Sequence, residues 1–151
     1  MPSRKSQPPA AHARILLVDD NRSGLAARRA VLEEIGYTVD CASDARSGLE
    51  LFSKHRHDLV VTDFRMPDMD GDEFITRIRK RSPDTPIVLL SGFVEALGLT
   101  EKNTGSNSVI MKSSREVQHL TSAVKRLLKT PRKPPAAEAP AAPPKRKTST
   151  E

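Results

Sequence analysis

The chain has 151 residues, of which 36% are apolar, 29% charged and 3% aromatic, and its formal net charge is +6. That length fits one domain, no apolar stretch approaches the ~18 residues needed to span a bilayer, and the Pro-rich start holds no signal-peptide core. A lone cysteine, Cys41, excludes an intrachain disulfide framework, and four histidines in no ligand spacing argue against structural zinc, so the expectation is a soluble cytoplasmic protein.

Residues 1–13 carry Arg4 and Lys5 without an acid and offer no run of large apolar side chains, so they read as disordered. The first apolar run, Ile15–Val18, leads straight into Asp19 and Asp20. A first helix should follow and end at Gly36. The run Tyr37–Ala42 is next, and Leu59–Val61 leads through Thr62 to Asp63. Phe74, Ile75 and Ile78 mark a short amphipathic helix, after which Ile87–Leu90 gives way to Ser91. The stretch between Ser91 and Lys112 is rich in Gly, Asn, Ser and Thr, which makes a fourth helix the weakest of five. Val109–Met111 runs into Lys112. Ser113 with Glu116 reads as a capping box, and Val117, Leu120, Val124, Leu127 and Leu128 make one face of a last helix. Residues 130–151 are basic and rich in Pro, Ala and Lys, an extended, disordered tail. The folded unit is therefore 14–129, which carries only +1 of the net charge.

Four of the five runs are continuously apolar, as parallel strands covered on both faces are. Their alternation with helices predicts an α/β fold, a doubly wound five-stranded parallel sheet. In such a sheet the strand C-termini share one rim, where ligands bind. Asp19, Asp20, Asp63, Ser91 and Lys112 all follow strands, so residues far apart in sequence become neighbours. Carboxylates about 4 Å apart repel by roughly 4 kcal/mol at an effective dielectric of 20. Lys112 supplies one counter-charge, and a hard divalent ion that takes oxygen ligands, Mg²⁺, is the natural second. Each residue alone also has a plain structural reading: Asp19 or Asp20 as a helix cap, Asp63 as the start of a polar loop, Ser91 as a turn cap and Lys112 as a solvated lysine.

The segment Asp63-Phe64-Arg65-Met66-Pro67-Asp68-Met69-Asp70-Gly71 resembles the strand-to-loop signature of response regulator receiver domains. The order and spacing of residues 14–129 are similar to that family throughout. The resemblance implies a flavodoxin-like (βα)5 fold with strand order 2-1-3-4-5. It implies a phosphoacceptor signalling module, not an enzyme with turnover, in which Asp63 takes a phosphoryl group from a histidine kinase or phosphotransfer protein. Asp20 and Asp63 would bind Mg²⁺ with the backbone carbonyl of Arg65, Asp19 acting mainly through a metal-bound water. Lys112 would pair with Asp63 and then with phosphoryl oxygens, onto which Ser91 would turn its hydroxyl. A downstream protein would read the state through the face of the fourth helix, fifth strand and fifth helix, and a homodimer is compatible with the family.

Two residues depart from the pattern. Val109 stands where the family carries Tyr or Phe, and Ser113 where it commonly has Pro after the lysine. These departures keep an alternative open, a receiver-like interaction module that acts without phosphorylation. For nucleic acid, the basic tails would give only weak, nonspecific and salt-sensitive contact.

Overall fold

Short runs dense in Val, Ile and Leu cannot leave both faces in water, and each becomes a strand covered on both sides. The computed structural model describes residues 12–129; of the expected disordered ends, 1–11 and 130–151 lie outside the described residues. The strands are β1 (Arg14–Val18), β2 (Thr38–Ala42), β3 (Leu59–Asp63), β4 (Ile87–Ser91) and β5 (Ser108–Met111). Between and after them lie α1 (Arg22–Ile35), α2 (Ala45–Lys54), α3 (Gly71–Arg81), α4 (Val94–Leu97), α5 (Glu101–Thr104) and α6 (Glu116–Lys129). The sheet is parallel in the order β2-β1-β3-β4-β5, the expected doubly wound flavodoxin-like arrangement. No helix among the described residues is long and apolar enough to cross a membrane.

Alternation along each strand splits the core in two. Ile15 and Leu17 of β1 join Leu59, Val61, Val88 and Leu90 under Leu32 of α1 and Leu120, Val124 and Leu127 of α6. Leu16 and Val18 join Val60, Ile87 and Leu89 under Phe74, Ile75 and Ile78 of α3. Phe74 is fully buried, and truncating such a ring to alanine costs about 3–5 kcal/mol. Val117, expected on the buried face of the last helix, is instead 46% exposed: it stands in the first turn of α6, and the buried face begins one turn later at Leu120 and continues through Ala123, Val124 and Leu127.

Helix ends follow local chemistry. Asn21 caps α1 by accepting from Gly24 N–H at 2.9 Å. Two acids cap α2: Asp44 accepts from Ser47 N–H at 2.7 Å, and Asp68, in the loop after β3, accepts from Ala45 and Arg46 N–H at 3.1 and 2.9 Å. The weak fourth helix is two single turns. Gly98, at φ 64°, ends α4, and Thr100 starts α5 with its own capping box to Asn103. The capping box expected at Ser113 and Glu116 does not close. Ser113 Oγ accepts from Arg115 N–H at 3.2 Å, while the Glu116 carboxylate is bound to Arg28 across the molecule.

Two polar knots tie the end of the sheet where the strands begin. Arg79, in the last turn of α3, donates to the carbonyls of Pro83, Thr85 and Gly105 and to Asn107 Oδ1. Asp40 accepts from Arg14 Nε and from His57 Nε2, both at 2.7 Å. The His57 ring is fully buried and its Nδ1 has no hydrogen-bond partner among the described residues, so burial holds its pKa below the ordinary imidazole value.

Candidate functional site

Strand order decides which polar residues meet. The chain passes from β1 outward to β2 and returns beyond β1 to β3, so direction reverses between β1 and β3 and leaves a crevice at their C-terminal ends. Val18 lies in register with Thr62, which sets Asp19 beside Asp63. Asp63 is in register with Leu90 and Ser91 with Met111, so Ser91 and Lys112 complete the same rim one and two strands further on. Carboxylate oxygens of Asp19, Asp20 and Asp63 all lie within 4.8 Å of one another.

Asp63 is 7% exposed. Its Oδ1 is 2.9 Å from Lys112 Nζ and accepts from Phe64 N–H at 3.0 Å. Burial raises its pKa above the ordinary carboxylate value, against the opposing pull of Lys112. Asp19 is buried: its Oδ1 accepts from Asn21 N–H at 2.9 Å, and its Oδ2 is 3.7 Å from Lys112 Nζ. Asp20 is exposed and opens the cluster to solvent. Ser91 is buried, with Oγ accepting from Phe93 N–H at 3.0 Å, so its lone pair faces the following loop. The Arg65 side chain, two residues past Asp63, lies over the exposed ring of Phe93, two residues past Ser91, 5.6 Å from its centroid.

The loop after β3 is held against the back of the acceptor. Gly71 N–H donates to Phe64 O at 2.6 Å, and a Cβ on Gly71 would stand 2.8 Å from Phe64 Cα and 2.9 Å from Asp63 O. Only a residue without a side chain permits that approach, which gives the last glycine of the Met66–Gly71 segment its physical reason.

Two participants were not anticipated from the sequence. Arg28 of α1 is buried and donates through Nη1 to Asp19 Oδ2, and through Nε and Nη2 to the two oxygens of Glu116, the latter at 3.2 Å. The helical stripe Leu25, Arg28, Leu32, Ile35 held the signal: an arginine placed on the face that packs on the sheet.

Three carboxylates that converge on one point, one of them open to water, match a hard divalent ion that keeps several water ligands. Asp19, Asp20 and Asp63 fit Mg²⁺ by that donor chemistry.

The model of the response regulator receiver domain matches residues 15–125. The response regulator MprA of Mycolicibacterium vanbaalenii is 41% identical over 78 residues, 52% of this chain and 34% of MprA, so the chain spans about a third of that relative's length. The chemotaxis response regulator CheY4 of Vibrio cholerae superposes with a TM-score of 0.70 at 29% identity, covering 77% of this chain and 98% of CheY4. The response regulator protein TrrA of Thermotoga maritima, in complex with Mg(2+)-BeF, gives 0.69 at 30% identity over 76% of this chain and 98% of TrrA. With the strand order, the acid cluster and these matches in agreement, the chain belongs to the response regulator receiver domain family, the signalling module of two-component systems.

Proposed function

We propose that this receiver domain is a phosphoacceptor: Asp63 takes a phosphoryl group from a phosphohistidine on a histidine kinase or phosphotransfer protein of the cytoplasm, and the modified state alters binding to a downstream protein. The observation that carries this reading is the placement of a buried Asp63 carboxylate 2.9 Å from Lys112 Nζ and within reach of Asp19 and Asp20. An Asp63 oxygen attacks phosphorus in line and the P–N bond breaks; the bond's electron pair stays on the nitrogen that carried phosphorus, and the histidine leaves as a neutral imidazole with its proton on the other ring nitrogen. Asp19, Asp20, Asp63 and the Arg65 carbonyl would hold Mg²⁺, which when bound supplies positive charge toward the transferred oxygens. Lys112 moves from the carboxylate it now pairs to the anion that replaces it. Ser91 has its hydroxyl proton available for the same anion while its oxygen accepts from Phe93 N–H. TrrA, a related protein solved in complex with Mg(2+)-BeF, supports this assignment of charges.

Incubation with Mg²⁺ and a small acyl phosphate should add one phosphate by intact-mass measurement, and Asp63→Asn should abolish it. Unchanged labelling of that variant refutes the assignment. A second reading, partner binding without phosphorylation, is favoured by Val109, whose N–H is held by Glu101 Oε2 at 3.0 Å and whose stiff side chain has no ring to swing. A strain carrying Asp63→Asn that signals like the wild type would select it.

A further inference from the structure

An arginine on the core face of a helix must find partners, since an unpaired buried charge is among the costliest defects a fold can carry. Arg28 finds two, on different elements. Its fork grips Glu116, at the start of α6, through two nitrogens, and its remaining nitrogen reaches Oδ2 of Asp19. Space for that third contact is provided one turn earlier: a Cβ on Gly24 would stand 2.8 Å from Arg28 Nη1. Asp19 Oδ2 in turn faces Lys112, which holds Asp63, so charges alternate without a gap from the acceptor through Lys112, Asp19 and Arg28 to Glu116. Four carboxylates against two cations leave a deficit of two positive charges, the charge of one divalent ion.

We infer that Arg28, anchored by Glu116, is a resident cation of the acid cluster that competes with Mg²⁺ for Asp19 and couples arrival of the ion to the first turn of α6. The inference rests on the assignment of Asp19, Asp20 and Asp63 to the ion. Asp19 Oδ1 is already committed to Asn21 N–H, so an ion or its water approaching Asp19 meets the oxygen that Arg28 holds. A guanidinium and a dication sharing one carboxylate repel. As the ion gains Asp19, Arg28 is left to Glu116 alone and the link between α1 and the rim slackens. By linkage, whatever draws α6 away from Arg28 changes the ion's affinity by the same factor. Arg28 is a positioning residue, acting on the reaction through Asp19. It provides a path from acceptor to output face that does not use the aromatic residue Val109 replaces.

The test is a Mg²⁺ titration of the full chain by calorimetry, with backbone amide shifts followed in parallel by NMR. Arg28→Met should tighten Mg²⁺ about tenfold. Gly24→Ala, which leaves every charge in place, favours the helix and crowds Nη1, should tighten it in the same direction. In the wild type, saturating Mg²⁺ should shift the amides of Glu116 and Val117; in Arg28→Met those shifts should vanish. Arg28→Lys keeps the charge but has a single nitrogen, which should stay on Asp19 and release Glu116, so the affinity should hold near the wild-type value while the α6 shifts are lost. Affinities of Arg28→Met and Gly24→Ala within about twofold of wild type, or α6 shifts that survive in Arg28→Met, overturn the inference. Phosphate labelling of Asp63 is scored separately. Labelling absent while the titrations behave as stated overturns the phosphoacceptor reading and supports the role of Arg28; labelling kept while they fail overturns the role of Arg28 alone.

Discussion

Gly71→Ala puts a single methyl group into the contact that seats the acceptor. The new Cβ would lie 2.8 Å from Phe64 Cα, 2.9 Å from Asp63 O and 3.0 Å from Leu89 Cδ1, where unstrained carbon contacts begin near about 3.5 Å. Two of those three atoms are backbone, and the Gly71 N–H is bonded to Phe64 O, so rotating Leu89 away would leave the two tightest contacts unrelieved. Overpacking of this kind costs about 1–3 kcal/mol. Alanine recovers at most about 1 kcal/mol by its higher helix propensity, less in the first turn where Gly71 sits. A net loss of about 1–2 kcal/mol lowers the melting temperature by roughly 3–10 °C for a domain of this size. Gly92→Ala is the internal control: nothing lies within 4 Å of its added Cβ, and its stability should stay within about 0.5 kcal/mol of wild type. Thermal unfolding by circular dichroism measures both. Because a displaced atom is the acceptor's own carbonyl oxygen, labelling of Asp63 should also slow in Gly71→Ala and not in Gly92→Ala. Equal melting temperatures for the two variants would refute the reasoning.

Asp63→Asn should stabilise the protein near neutral pH. The folded pKa of Asp63 is raised above 3.8, so as pH climbs past that value the unfolded chain gives up its proton first and the native state loses ground; removing the carboxyl removes the loss. Melting curves should show the gain shrinking as pH is taken below about 4, and a variant less stable than wild type at neutral pH contradicts the sign. For His57 the folded pKa lies below 6.5, so the unfolded chain takes up the proton first and stability drains away as pH falls through that value. Urea unfolding at about pH 7.5 and about pH 5 should show a larger drop for wild type than for His57→Gln, which can still donate to Asp40; parallel curves would argue otherwise. Asp68→Ala strips Ala45 and Arg46 N–H of their acceptor while Asp44 stays in place, and should cost about 1 kcal/mol in urea unfolding. A loss beyond about 3 kcal/mol would show that the loop after β3 depends on Asp68 for more than a cap.

The sheet was legible because burial on both faces leaves continuous apolar runs, and the rim was legible because each run ends in a residue whose polarity breaks that run: Asp19, Asp63, Ser91, Lys112. Sequence also carried the fragility of the α4–α5 stretch, since Gly98 and Thr100 are stop and start signals placed two residues apart. What escaped depended on contacts between helices. Arg28 and Glu116 are 88 residues apart, and no local rule says that two charged side chains on separate helix faces will meet. The same contact explains why the capping box failed: the Glu116 carboxylate has one use, and a buried guanidinium outbids an exposed backbone N–H for it. Val117 was misplaced because a helical stripe reports which residues share a face, not at which turn along that face burial begins, here at Leu120.

The Arg79 knot sets a mechanical boundary. One guanidinium fastens the exit of α3 to Gly105 and Asn107 at the entry to β5, and Asn107 is bonded in turn through both its backbone N–H and its side chain to Ile87. The foot of the outermost strand is therefore bolted down, while its far end carries Lys112 at the crevice. The intervening α4–α5 stretch runs from the crevice, just past Ser91, to that fastened foot, and it holds the exposed side chains of Phe93 and Leu97 between two anchored ends.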